Sequence, residues 1–163
     1  MNNIILCGFM GSGKTTIGME LAKIMGRKFV DTDELIEKEQ GIAIKAIFAA
    51  HGEDYFRELE FECCKKIADM KNCVVSTGGG ALTFQRNVDV LKTGGKIVFL
   101  DADFDVICSR IGNSKTRPLF QDKTKAKALY DERKSKYLAA SDFVVDGNMS
   151  ARKTALEIQQ MFK

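Results

Sequence analysis

Gly8-Phe9-Met10-Gly11-Ser12-Gly13-Lys14-Thr15 fits the pattern G-x-x-x-x-G-K-[ST]. In front of it stands the apolar run Ile4-Ile5-Leu6-Cys7, which reads as a buried strand. Behind it, Thr16–Met25 sets Ile17, Leu21, Ile24 and Met25 at helical spacing. Strand, glycine-rich turn and helix in that order make a phosphate cradle. The glycines let backbone N–H groups converge on phosphate oxygens, and the helix N-terminus adds unpaired donors and the positive end of its dipole. Lys14 is expected to reach the β- and γ-phosphates and the Thr15 hydroxyl to hold Mg²⁺, with Gly11, Ser12, Gly13 and Thr16 completing the nucleotide contacts.

Outward from the cradle, four more apolar runs are candidate strands: Lys28–Val30, Cys73–Ser76, Lys96–Leu100 and Phe143–Val145. Their centres are continuously apolar, as in strands covered on both faces, and the segments between them are long enough for crossover helices. A three-layer α/β/α domain with a parallel sheet follows. The helices are expected at Thr16–Met25, Glu34–Glu39, Ile42 to His51, Glu53–Met70, around Phe84–Leu91, Phe104–Ile111, Ala128–Ala140 and Ser150–Phe162. Gly94-Gly95 is expected to turn the chain into the fourth strand. The helices between the second and third strands exceed one crossover and suit a pocket for a second substrate. The polar stretch from Gly112 to Lys127, with the only proline, Pro118, suits a mobile cover over phosphates.

The 163 residues are expected to form one domain, with 45% apolar and 29% charged residues, as in ordinary globular chains. A net charge of +3 from interspersed residues gives no basic footprint for nucleic acid. The five cysteines lack C-x-x-C spacing and read as reduced, buried thiols, and the single histidine, His51, argues against a histidine-based metal site. With no positively charged leader and no membrane-length apolar run, the expected location is the cytoplasm. No sustained heptad seam demands an oligomer, so a monomer is expected.

Several side chains carry chemistry. Asp31 and Asp33 leave the second strand on the side where the cradle opens. One carboxylate could act on Mg²⁺ through water and the other accept a substrate hydroxyl; equally, Asp31 could end the strand while Asp33 caps the next helix. Arg57, three residues before Glu60, is either half of a surface ion pair or a planar fork for a substrate carboxylate. Gly78-Gly79-Gly80 after the third strand suggests unusual torsions or close approach to the backbone. Arg117 sits in the expected cover, and Arg110 and Arg133 lie on helices flanking it. Phe48, Phe56 and Phe61 read as core or pocket wall.

Together GFMGSGKT (8–15), FVDTDELIE (29–37), IFAAHGEDYFRELE (47–60), STGGGA (76–81), TRPLF (116–120), ERKSKY (132–137) and DFVVD (142–146) closely resemble the shikimate kinase family over nearly the whole chain. A phosphate cradle alone is common; the D-x-D, F-R-x-x-E, G-G-G and R-P-L elements in this order are far more specific. The resemblance implies a P-loop fold like that of nucleoside monophosphate kinases, with a five-stranded parallel sheet in the order 2-3-1-4-5. It also implies transfer of the γ-phosphate of ATP to the 3-hydroxyl of shikimate, on the way to chorismate and the aromatic amino acids. Residues 1–163 would be a single kinase domain, with a substrate-binding helical region at about 32–61 and a lid at about 112–127.

Carried over by resemblance, Asp33 holds shikimate hydroxyls and helps deprotonate the nucleophile. Arg57 and Arg133 bind the carboxylate, and the turn Gly78-Gly79-Gly80 lines the acid, with a backbone donor from Gly79. Lys14 and Arg117 contact the transferring phosphate, Thr15 and Asp31 serve Mg²⁺, and Arg110 packs against adenine. The chain departs from the family around Arg133-Lys134-Ser135-Lys136-Tyr137, where a proline-containing stretch is usual between arginine and tyrosine. It also departs in the short, lysine-rich segment after Leu119. The nearest rival is a kinase of another small hydroxylated acid such as gluconate. A nucleotide-dependent regulatory protein is the reading from another class.

Overall fold

The run Ile4–Cys7 extends by one residue into strand β1 (Asn3–Cys7), and all of β1 is buried. The computed structural model describes residues 2–111 and 122–163. The other strands are β2 (Lys28–Asp31), β3 (Cys73–Ser76), β4 (Gly95–Asp101) and β5 (Phe143–Asp146). All four ladders are parallel, in the order β2-β3-β1-β4-β5, which is the expected sheet.

Residues of β1 alternate between two layers, as the period of two requires. Ile5 and Cys7 join Val75, Ile97 and Phe99 on the face covered by α4 (Glu53–Asp69), α5 (Gln85–Gly94) and α7 (Lys123–Ala140). Ile4 and Leu6 join Val74, Val98 and Leu100 under α1 (Lys14–Met25) and α8 (Ala151–Met161). Burial on both faces is why these strands read as unbroken apolar runs. The short helices α2 (Thr32–Gln40) and α6 (Phe104–Ile111) follow β2 and β4, α3 (Ile44–His51) packs on α2 and α4, and a 3₁₀ turn spans Ala81–Thr83. Among the described residues, no helix is long and apolar enough to cross a membrane.

Two contacts fix how the layers meet. Asn3 is fully buried; its Nδ2 donates to the carbonyls of Ile67 and Met70, both at 3.0 Å, and its Oδ1 accepts from Cys73 N at 3.0 Å. One side chain thus pairs backbone groups at the end of α4 and the start of β3, where unmade hydrogen bonds would be costly. On the other face, Gly18 brings α1 close to β2. A Cβ at that position would lie 2.6 Å from Phe29 Cε1.

Among the boundaries that differ from the sequence expectation, three bear on the site or on how the layers meet. Helix α2 starts at Thr32 rather than Glu34, because Asp31 caps it. Helix α7 starts at Lys123 rather than Ala128, capped by Asp122, whose carboxylate accepts from Lys125 N at 3.1 Å. Of the proposed cover at 112–127, residues 123–127 are therefore helical, and residues 112–121 lie outside the described residues. Finally, Gly94 and Gly95 make no separate turn: the first ends α5 and the second begins β4. A Cβ on either would meet backbone oxygen at 2.4 Å, Ala68 O and Asn3 O respectively, so close packing explains the pair.

Candidate active site

The cradle forms where β1 hands over to α1. Gly11 and Gly13 take left-handed torsions, φ +79° and +93°, that other residues rarely adopt, and Gly13 caps α1. The Lys14 ammonium lies back on the loop, donating to Gly8 O at 2.6 Å and Phe9 O at 3.3 Å. Arg110 of α6 ties the loop down: Nη1 donates to Ser12 O at 3.1 Å, and Nη2 to Gly147 O at 2.7 Å beyond β5. The Ser12 hydroxyl is buried without a hydrogen-bond partner among the described residues.

A cleft of about 620 Å³ opens beyond the carboxyl ends of β1, β2 and β3. That is where open α/β sheets bind ligands. Gly11, Gly13, Lys14, Thr15, Thr16 and Arg110 line one part of it, and Asp31, Asp33, Arg57, Arg133 and Gly78 to Gly80 line the rest. Ser12 is the exception, buried behind the loop; Arg117 lies outside the described residues. Phe48 and Phe56 form a wall, ring centroids 4.7 Å apart, next to Ile44 and Met10. Phe61 does not line the cleft; its ring lies under Arg86 and Lys65. All five cysteines are free thiols, and none lines the cleft.

The two aspartates separate in role. Asp31 Oδ1 accepts from the N–H groups of Asp33 and Glu34, at 2.9 and 3.1 Å, so the helix cap is Asp31 and not Asp33. Because α2 has already begun at Thr32, the two carboxylates are not presented by one extended segment. Burial foremost, and then the charge of Asp31, push the Asp33 carboxyl up to about 6; Lys14 and Arg57 pull the other way. Thr15 and Asp31 together offer a hydroxyl and a carboxylate, the hard oxygen donors that Mg²⁺ prefers.

The glycine triplet explains itself by contact. None of its members has positive φ, and Gly80 has φ −95°. A Cβ on Gly78 would lie 2.7 Å from Asp33 Oδ1, on Gly79 3.0 Å from Arg133 Nη1, and on Gly80 2.7 Å from Arg57 Nη2. Each glycine therefore accommodates a different polar side chain, one acceptor and two cations. The turn is held by Thr32, whose Oγ1 accepts from Gly78 N at 2.9 Å, and by Tyr137, whose buried hydroxyl donates to Gly79 O. Neither anchor was found from the sequence. Arg133 and Tyr137 stand four residues apart on α7, so one helix face presents both to the turn.

Arg57 is no surface ion pair. Its Nη1 donates to Glu60 Oε1 at 3.0 Å, and the Glu60 side chain is only 1% exposed. Burial raises the Glu60 carboxyl above its ordinary range, while Arg57 opposes that. A buried carboxylate on one edge of a guanidinium fixes its plane, leaving other N–H groups for a planar anion.

The shikimate kinase family model matches residues 10–163. The chain belongs to the shikimate kinase family. A shikimate kinase from Helicobacter hepaticus is 44% identical over 161 residues, 97% of this chain and 94% of its own. A solved structure described as shikimate kinase from Acinetobacter baumannii in complex with shikimate superposes with TM-score 0.91 at 36% identity, covering 99% of this chain and 93% of that one. A gluconokinase from Sinorhizobium meliloti, at 20% identity, 96% and 88% coverage and TM-score 0.60, shares the fold alone. Membership of the shikimate kinase family fits a cleft that opens from a phosphate cradle.

Proposed function

We infer that this chain transfers the γ-phosphate of ATP to the 3-hydroxyl of shikimate, giving shikimate 3-phosphate and ADP. The observation that carries the acceptor is the Gly78–Gly80 turn, with Asp33, Arg133 and Arg57 packed one to each glycine. Shikimate is a small ring bearing hydroxyls and one carboxylate, and this set offers one hydroxyl acceptor beside two guanidinium forks.

Asp33 accepts the hydroxyls and, when ionised, receives the proton of the 3-hydroxyl as the new P–O bond forms. Arg57 and Arg133 hold the carboxylate, and the backbone of Gly78 to Gly80 lies against the ring. The loop amides of Gly11 to Lys14 and the side chains of Thr15 and Thr16 cradle the phosphates. Arg110 flanks adenine while its hydrogen bonds keep the cradle in place. Lys14 leaves its loop carbonyls to follow the charge on the transferring phosphoryl oxygens, with Arg117 as its partner. Phosphoryl transfer asks mainly for such alignment and charge neutralisation. Mg²⁺, held by Thr15 and through water by Asp31, would supply further neutralisation of the phosphate charge. Residues 32–61 act as the acid-binding region.

A coupled assay of ADP release with ATP and Mg²⁺ tests the acceptor. Release is expected with shikimate and not with gluconate, AMP or water alone. Release driven by gluconate would overturn the assignment of the triplet.

A further inference from the structure

The geometry points to Phe84, at the head of α5, as a positioning residue for Arg57. The guanidinium of Arg57 lies over the Phe84 ring, Cζ 5.0 Å from its centroid, and 5.3 Å from that of Phe56. Its edges are taken by Glu60 at 3.0 Å and by Glu53 at 3.4 Å, while Nη2 faces Gly80. The group is thus boxed by a carboxylate pair, two aromatic rings and the glycine turn. Phe84 does not line the cleft, so whatever it does for the acid it does through Arg57.

The neighbouring Arg86 makes the same junction from the outside. Its Nη2 donates to the Arg57 carbonyl at 3.3 Å, its Nη1 pairs with Glu58 at 2.8 Å, and its Cζ lies 4.6 Å from the Phe61 ring. The opening of α5 therefore grips α4 over residues 57 to 61, on the backbone through Arg86 and on the side chain through Phe84. The Arg86 contacts are largely exposed and individually weak. The half-buried Phe84 ring is the stronger element, because a cation held against an aromatic face is worth more as water is excluded. Arginine carries a flexible stem, and ordering it in advance removes part of the entropy cost of binding a carboxylate. The ring holds Arg57 in its carboxylate-binding orientation before the acid arrives.

This inference rests on the reading that Arg57 binds the carboxylate of the acceptor. The test measures steady-state kinetics of the wild type, Phe84→Ala, Phe84→Leu and Phe84→Tyr with shikimate and with its methyl ester, which lacks the charge. In Phe84→Ala, KM for shikimate is expected to rise about five- to tenfold, with KM for ATP within about twofold of the wild type. The kcat/KM for the ester should change less than about twofold, since a neutral ester gains little from an ordered guanidinium. Phe84→Tyr should restore the wild-type KM, and Phe84→Leu, which keeps bulk without the ring quadrupole, should not.

An unchanged KM for shikimate, or equal losses on acid and ester, would overturn the proposal. If Phe84→Ala does not fold, the leucine and tyrosine variants decide, and equal KM values for those two overturn it. A wild type without shikimate-dependent turnover removes both this inference and the function it rests on. An active wild type with an indifferent Phe84→Ala removes this inference alone.

Discussion

Asp33 is kept in the cleft at a cost. Its carboxyl is raised to about 6 by burial and by Asp31, so as the pH falls from about 6 toward its ordinary value the folded state takes up a proton that the unfolded chain does not. The folded protein is therefore penalised above about pH 6 and relieved below it. Asp33→Asn should raise stability at pH 8 by about 1–2 kcal/mol and lose that advantage near pH 4, as read by denaturant melts. The same substitution should abolish turnover, and the wild-type kcat/KM for shikimate should fall below about pH 6. An acid limb near pH 4 would contradict the role.

Gly80→Ala makes a second test at this scale. The position has ordinary torsions, so the fold should survive with a melting temperature near the wild type, while the methyl group displaces Arg57 Nη2 and raises KM for shikimate about tenfold. Sequence pattern singled out the triplet but left torsion and close approach as alternatives; φ values and the three contacts decide for close approach. Asp31 and Asp33 were visible as a pair, yet which of them caps α2 depended on where the helix begins. The burial of Glu60 beside Arg57 was illegible, because spacing of three on a helix is the same for a surface pair and a buried one.

Elements were most legible where burial on both faces erased the polar alternation. Strand β3 occupies the expected Cys73–Ser76, and the other strands grow by one residue at an end or at both ends. Helix α7 was the hardest to bound, because its first turn is lysine-rich and carries no apolar stripe; the only signal was Asp122 as a cap. Asn3 was missed altogether, since nothing in a strand's first residue foretells three hydrogen bonds to other elements. Asn3→Ala leaves those backbone groups unpaired inside the protein and should cost about 2–4 kcal/mol in urea unfolding, with kcat unchanged in the remaining folded fraction. A loss below about 1 kcal/mol would show that water replaces the amide.

At the scale of the molecule, the sheet order β2-β3-β1-β4-β5 gathers the carboxyl ends of β1, β2 and β3 around one cleft. Three crossover segments then deliver the chemistry: the cradle and α1 after β1, Asp33 and Arg57 from α2 and α4 between β2 and β3, and the triplet after β3. Arg133 arrives from α7, beyond β4. Parallel strands with helical crossovers were legible from the apolar runs alone, whereas the strand order came only with the family resemblance, because periodicity carries no information about which strands are neighbours. The site drew on both. Its cradle was complete in one stretch, but the rest of the cleft lining is assembled from segments about 100 residues apart, between Asp33 and Arg133, that no spacing rule connects.

Phosphoryl transfer from ATP to one hydroxyl of shikimate, rather than to water, is the reaction that the whole site serves. Incubation of the protein with ATP, Mg²⁺ and shikimate, followed by phosphorus NMR, reads this directly. The expected product is a phosphomonoester coupled to the proton on C3 and appearing in step with ADP. Inorganic phosphate in its place, or a phosphomonoester coupled to another ring position, would contradict it.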